Sequence, residues 1–117
     1  AGARFVQTQM VMDEDCLKRF VDEITAPLGL PVLAGVFLLK SAKNAAFINR
    51  VVPGACIPQS IIDRLAAASN PADEGITIAA EQVSRYAKTC QGVHLMAVKA
   101  EERIPRILER AGFSPRC

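Results

Sequence analysis

The chain has 117 residues, 50% of them hydrophobic and 22% charged, and 14 basic against 12 acidic side chains leave a net charge of +2. That is the length of one domain, too apolar for a disordered chain and too evenly charged for a nucleic-acid or anionic-membrane binder. The longest apolar run, Val32 to Leu39, falls short of the roughly 18 residues a membrane span needs, and Arg4, Gln7, Thr8 and Gln9 interrupt any signal-peptide core. These features predict a soluble, globular, cytoplasmic protein. The chain opens Ala-Gly-Ala and enters apolar sequence at Phe5, an abrupt start that suggests a piece of something longer.

In chain order, Arg4 to Met12 is rich in apolar and β-branched residues and predicts a strand. Asp13, Glu14 and Asp15 follow, suited to the positive end of a helix whose apolar stripe is Leu17, Phe20, Val21, Ile24 and Leu28. Pro27 and Gly29 close it. Leu30 to Leu39 is nearly unbroken apolar sequence, the pattern of a parallel strand buried on both faces. Gly35 in its middle marks a bend or a close approach by another backbone.

Ser41 caps a short helix through Asn49, and Pro53-Gly54 turns the chain. Pro58 opens a further helix with Ile61, Ile62, Leu65 and Ala66 as its stripe. Asn70-Pro71 ends that helix, and Asp73 and Glu74 open another with Ile76, Ala79, Ala80, Val83 and Ala87 on one face. Gly92 to Val98 predicts a third strand. Glu101 to Ala111 is a final helix, regular from about Pro105 and capped by Gly112. Strands alternating with helices predict an α/β fold with a parallel sheet and right-handed crossovers.

Chemistry-bearing motifs are sparse. No Gly-x-Gly-x-x-Gly follows a strand and no Walker loop is present, so nothing marks a nucleotide-phosphate site. Cys16, Cys56, Cys90 and Cys117 form no Cys-x-x-Cys pair, and the one histidine, His94, has no close ligand partner, so no metal site is expected. The thiols read as reduced, small and apolar. His94 shares a strand face with Met96; with no nucleophile or second base beside it, a hydrogen-bonded core histidine is the expectation. Glu81, Asp63 and Glu101-Glu102 read as solvated surface.

Taken together in order, several segments resemble the methylenetetrahydrofolate reductase family. Ala1-Gly2-Ala3-Arg4-Phe5-Val6-Gln7-Thr8-Gln9, an apolar triplet and Asp13 look like the sixth strand of its TIM barrel. Gly35-Val36-Phe37-Leu38-Leu39 with Ser41, Asn44, Ala45 and Phe47 is similar to the seventh strand and its short helix, though several relatives have proline where Leu38 stands. Val52-Pro53-Gly54, Ile57-Pro58, Glu74-Gly75-Ile76 and Ala79-Ala80-Glu81 continue the pattern. Gly92-Val93-His94-Leu95-Met96-Ala97 resembles the eighth strand.

The resemblance implies that residues 1–117 are a single partial domain, three consecutive βα units of a (β/α)8 barrel of about 250 residues, with strands one to five absent. It implies an FAD-dependent oxidoreductase of one-carbon and methionine metabolism that takes hydride from NAD(P)H and reduces methylenetetrahydrofolate to methyltetrahydrofolate. The acidic residue that protonates the folate, and most groups around the flavin, belong to the strands this chain lacks. Among its own residues, Gln9 matches the glutamine that contacts the pterin, and a carboxamide suits the mixed donor and acceptor edge of that ring. Asn44 matches a polar residue that helps hold the folate. Ile48 stands one turn on, where some relatives place an aromatic against the pterin or benzoyl ring. Gln7, with the strand parity of Gln9, is expected one layer lower as an interior polar group. The alternative is a non-enzymatic partial barrel whose open edges bind a partner chain, either the remaining barrel or another subunit. A different pterin- or phosphate-binding barrel of the same architecture is a third reading.

Overall fold

A computed structural model describes residues 2–113. Three parallel strands, β1 (Val6–Met10), β2 (Val32–Phe37) and β3 (Gly92–Met96), form one sheet in the order β1-β2-β3. Five α-helices connect and cover them: α1 (Glu14–Phe20), α2 (Ala42–Val51), α3 (Gln59–Ala67), α4 (Pro71–Thr89) and α5 (Ile104–Arg110). The alternation and the parallel pairing agree with the sequence pattern. The differences lie at the ends. All three strands are shorter than expected, and the first helix ends as a π-helical turn over Val21–Thr25.

Caps fix where the helices begin. Asp13 Oδ1 accepts from the Asp15 and Cys16 amides, and Ser41 Oγ accepts from the Asn44 amide. Asn70 Oδ1 accepts from the Asp73 amide, and Pro71 occupies the first turn of α4. In each case a side-chain oxygen satisfies amides that the helix itself leaves free.

β2 is central, so both its edges are paired, and one face packs on α4 while Leu33 and Phe37 on the other are partly buried. Val32, Ala34, Val36 and Leu38 are fully buried against Ile76, Ala79, Ala80, Val83 and Tyr86 of α4. A second cluster at the C-terminal end of the sheet joins Leu39 to Ala45, Ile48, Ile57, Leu65 and Ile78. Gly75 lets α4 meet the end of β2: a Cβ there would stand 1.9 Å from the Leu39 carbonyl oxygen.

Two ion-pair clusters tie the helices together on the outside. Arg64 of α3 reaches Glu74 and Glu81 of α4, with Nη1 3.0 Å from Glu81 Oε1. Arg110 of α5 holds Asp73 at 2.7 Å and donates to Thr77 Oγ1 at 3.0 Å. Glu81, expected as a solvated carboxylate, is therefore half-buried and paired, and the Arg64 hydrogen bond holds its carboxyl below the usual range. No helix among the described residues is long and apolar enough to cross a membrane.

Candidate functional site

In parallel α/β folds, ligand-binding groups gather at the C-terminal ends of the strands. Here that end of β1 carries an irregularity that alternation alone does not foresee. Gln7 pairs with Leu33 and Met10 with Gly35, so Thr8 and Gln9 together face the single residue Ala34. The extra residue is a β-bulge. Thr8 holds it in place: its Oγ1 accepts from the Gly35 amide at 2.9 Å and donates to the Gln9 carbonyl at 2.7 Å. The bulged backbone then crowds Gly35, where a Cβ would sit 2.8 Å from the Gln9 carbonyl oxygen. The close approach expected at Gly35 is thus made by β1.

Gln7 and Gln9 are both exposed in the alternating burial of β1, and both line the cavity beside it, so Gln9 keeps the parity expected from the sequence. The Gln9 side chain is exposed, and its Oε1 accepts from the Met10 amide at 3.0 Å. One end of the carboxamide is thereby fixed, and its NH2 has no hydrogen-bond partner among the described residues. Gln9 lines a cavity of about 730 Å3 along the open edge of β1, walled by Met10, Met12, Leu17 and Phe20 and by Cys56 and Pro58 of the α2–α3 loop. The walls are mostly apolar with a few polar groups, the usual lining of a small-molecule site.

Asn44 lies elsewhere. Its Oδ1 accepts from the Lys40 amide at 3.2 Å while its own amide donates to Ser41 Oγ at 3.0 Å, a reciprocal cap that starts α2. Its Nδ2 is free of partners among the described residues. Asn44 borders a separate groove of about 420 Å3 with Lys43, Phe47 and Arg50, so the structure does not bring Gln9 and Asn44 into one cavity.

Ile48 requires a correction. It is only 5% exposed and packs with Leu39, Ala45, Ile57, Leu65 and Ile78. Counting one turn on from Asn44 gave it a ligand-facing place, but α2 turns Ala45 and Ile48 into the core. The aromatic side chain left outside is its neighbour Phe47, 49% exposed, with the Arg50 guanidinium 5.6 Å from its ring centroid. Sequence reasoning missed this pair; the signal was the i, i+3 spacing of Phe47 and Arg50 opposite the Ala45/Ile48 stripe.

His94 also departs from expectation. It is half-buried in register with Gly35, and its imidazole has no hydrogen-bond partner among the described residues. Cys90 is the buried thiol, donating to the Tyr86 and Gly92 carbonyls, whereas Cys16 and Cys56 are exposed and free. Cys117 lies outside the described residues. Among the described residues no group of three metal-ligating side chains comes together.

Comparison with protein families matches residues 1–112 to methylenetetrahydrofolate reductase. The chain belongs to the methylenetetrahydrofolate reductase family. Family membership makes it part of a group of folate-related oxidoreductases and agrees with the three parallel βα units as part of a TIM barrel. No curated protein matches the chain.

The family is generally flavin-dependent, and the cavity beside β1 fits FAD poorly. A pyrophosphate needs cations or free helix-terminal amides. The cavity lining holds no Lys or Arg, and the amides at the start of α1 are already taken by the Asp13 carboxylate. That cavity therefore offers a wall for an apolar, hydrogen-bonding ring and no cradle for dinucleotide phosphates.

Proposed function

We propose that this chain forms three βα units of a methylenetetrahydrofolate reductase barrel and supplies the folate-binding wall of its mouth. The reaction of the whole barrel is reduction of methylenetetrahydrofolate to methyltetrahydrofolate, with NAD(P)H as the source of electrons. The FAD expected from the family is assigned to other βα units, and no step through it is assigned to the residues described here.

The observation that carries this reading is the bulge at Thr8-Gln9. It places a carboxamide with a free NH2 at the C-terminal end of a barrel strand, against an apolar wall. In this reading the Gln9 NH2 donates to an acceptor on the pterin edge, while the Met10 amide keeps the carboxamide from rotating. Met10, Met12 and Phe20 exclude water from that contact and strengthen it by lowering the local dielectric. Asn44 contributes at a distance through its free Nδ2. Ile48 is not part of the proposal. A reducing, cytoplasmic setting is included, supported by the exposed free thiols of Cys16 and Cys56.

The open edges of the sheet support the larger assembly. β1 pairs on one side only, and Phe5 just before it is more than half exposed. Such an edge calls for a neighbouring strand. The test is an assay of the intact protein for oxidation of NADH or NADPH that depends on methylenetetrahydrofolate. Turnover of either nicotinamide supports the reading; none with both sinks it.

A further inference from the structure

We propose that the crevice between α3, α4 and the β1–α1 connection binds a small zwitterion, an α-amino acid with an apolar side chain. Gln82 accepts from its ammonium and Arg85 holds its carboxylate. The crevice is a separate cavity from the folate site proposed above, and its ligand does not depend on that site.

Gln82 is the residue that points to a ligand. Ile78, Glu81, Gln82 and Arg85 recur at helical spacing, so α4 presents them as one stripe along the crevice. Gln82 is only 5% exposed, and its Nε2 lies 3.3 Å from the Met12 sulfur, which can only accept. That contact fixes the orientation of the carboxamide. It leaves Oε1 buried with no hydrogen-bond partner among the described residues. An acceptor shut away from solvent without a donor is unfavourable, and the crevice it borders is where a donor enters. The volume there is about 250 Å3. At roughly 30 Å3 per water that is room for about eight, more than one bridging water and the size of a ligand of eight or nine non-hydrogen atoms.

Charge selects the occupant. The ionisable lining is Glu14, Arg64, Glu81 and Arg85, two acids and two bases, so the crevice favours neither a simple anion nor a simple cation. Arg64 is already held by Glu74 and Glu81, whereas Arg85 is exposed and forms no ion pair among the described residues. Arg85 stands three residues after Gln82, one turn along α4, so a carboxylate at Arg85 leaves an ammonium of the same small molecule within reach of Gln82 Oε1. Glu14 and Glu81 supply the negative field that an ammonium needs. Met12, Pro58, Ile61 and Ile78 form the apolar part of the lining, against which a hydrocarbon side chain packs. Met12 and Pro58 also line the cavity beside β1, so they are walls common to both cavities.

The experiment titrates the intact protein with L-leucine, 3-methylbutylamine and 4-methylpentanoate, followed by ligand-observed NMR. The first carries both charges, and each of the others lacks one. L-leucine is expected to bind with a dissociation constant of about 1 mM or below, and each analogue at least about tenfold more weakly. Gln82→Met keeps the side-chain volume and removes the acceptor; it should weaken leucine about tenfold, as loss of a charge-assisted hydrogen bond does. Arg85→Gln, on an exposed side chain, should weaken it about threefold and leave the thermal midpoint unchanged. Where Gln82→Met fails to fold, Arg85→Gln decides. The proposal is overturned if leucine shows no binding at about ten times that concentration, the crevice then holding water alone. It is equally overturned if either analogue binds as tightly as leucine, or if a folded variant keeps the parent affinity. Leucine binding that survives both substitutions and is displaced by methyltetrahydrofolate belongs to the cavity beside β1 and overturns it too.

Discussion

Gly35 shows how much one side chain's absence can decide. The Thr8 hydroxyl takes the Gly35 amide out of the regular ladder, and the displaced β1 carbonyls move into the space a Cβ would occupy. Gly35→Ala should therefore cost about 1–3 kcal/mol, as overpacking in a rigid setting does. Urea unfolding measures it, and a loss below a few tenths would mean the bulge relaxes freely. Tyr86 offers a second check. Its hydroxyl donates to the Val11 carbonyl at 2.7 Å, and burial, aided by Glu14 nearby, pushes its pKa from 10.0 up to about 12. The unfolded chain loses that proton near pH 10 and the folded chain near 12. The contribution of Tyr86 to stability is therefore whole below pH 10 and is lost as the pH rises to 12. Tyr86→Phe should flatten the alkaline limb of a stability profile; an identical limb in the variant would contradict the assignment.

The elements differ in how plainly their sequences announce them. β2 was readable from Leu30 to Leu39 because the central parallel strand is apolar on both faces, with Val32, Ala34, Val36 and Leu38 buried and Leu33 and Phe37 partly so. The helix starts were readable because Asp13, Ser41 and Asn70 are capping residues by local chemistry. The bulge was not, because Thr8-Gln9 looks like ordinary strand until a partner amide arrives from Gly35. The phase of α2 was misjudged for a related reason. Asn44 and Ile48 lie on neighbouring turns, yet the second core cluster draws in Ala45 and Ile48 and leaves Asn44 at the margin.

Ile48→Ala should accordingly cost about 2–5 kcal/mol, as a buried isoleucine does. Little change in stability together with a changed folate affinity would restore the ligand-facing role. The α3–α4 clamp makes a pH-dependent statement. The Arg64 hydrogen bond lowers the Glu81 pKa from 4.5, so its stabilising effect is present above that value and fades as the pH falls through the lower folded value. Arg64→Met should remove that acid-range dependence from the unfolding midpoint, and a parent-like profile would count against the clamp.

At the scale of the whole molecule, three strands give a sheet with an open edge at β1 and an apolar cavity along it. The family match over residues 1–112 accounts for the order of the βα units. The likeness visible in the sequence reached the family and the fold class. It did not reach the separation of Gln9 and Asn44 into two depressions, which depends on how α2 seats over Leu39 and Ile57.

The most direct measurement is the dissociation constant of methyltetrahydrofolate for the intact protein, compared with Gln9→Ala and Gln7→Ala. Gln9→Ala should weaken binding about tenfold, the worth of one hydrogen bond in a dry setting, and Gln7→Ala should change it little. Equal affinities in all three proteins, or a loss confined to Gln7→Ala, would contradict it.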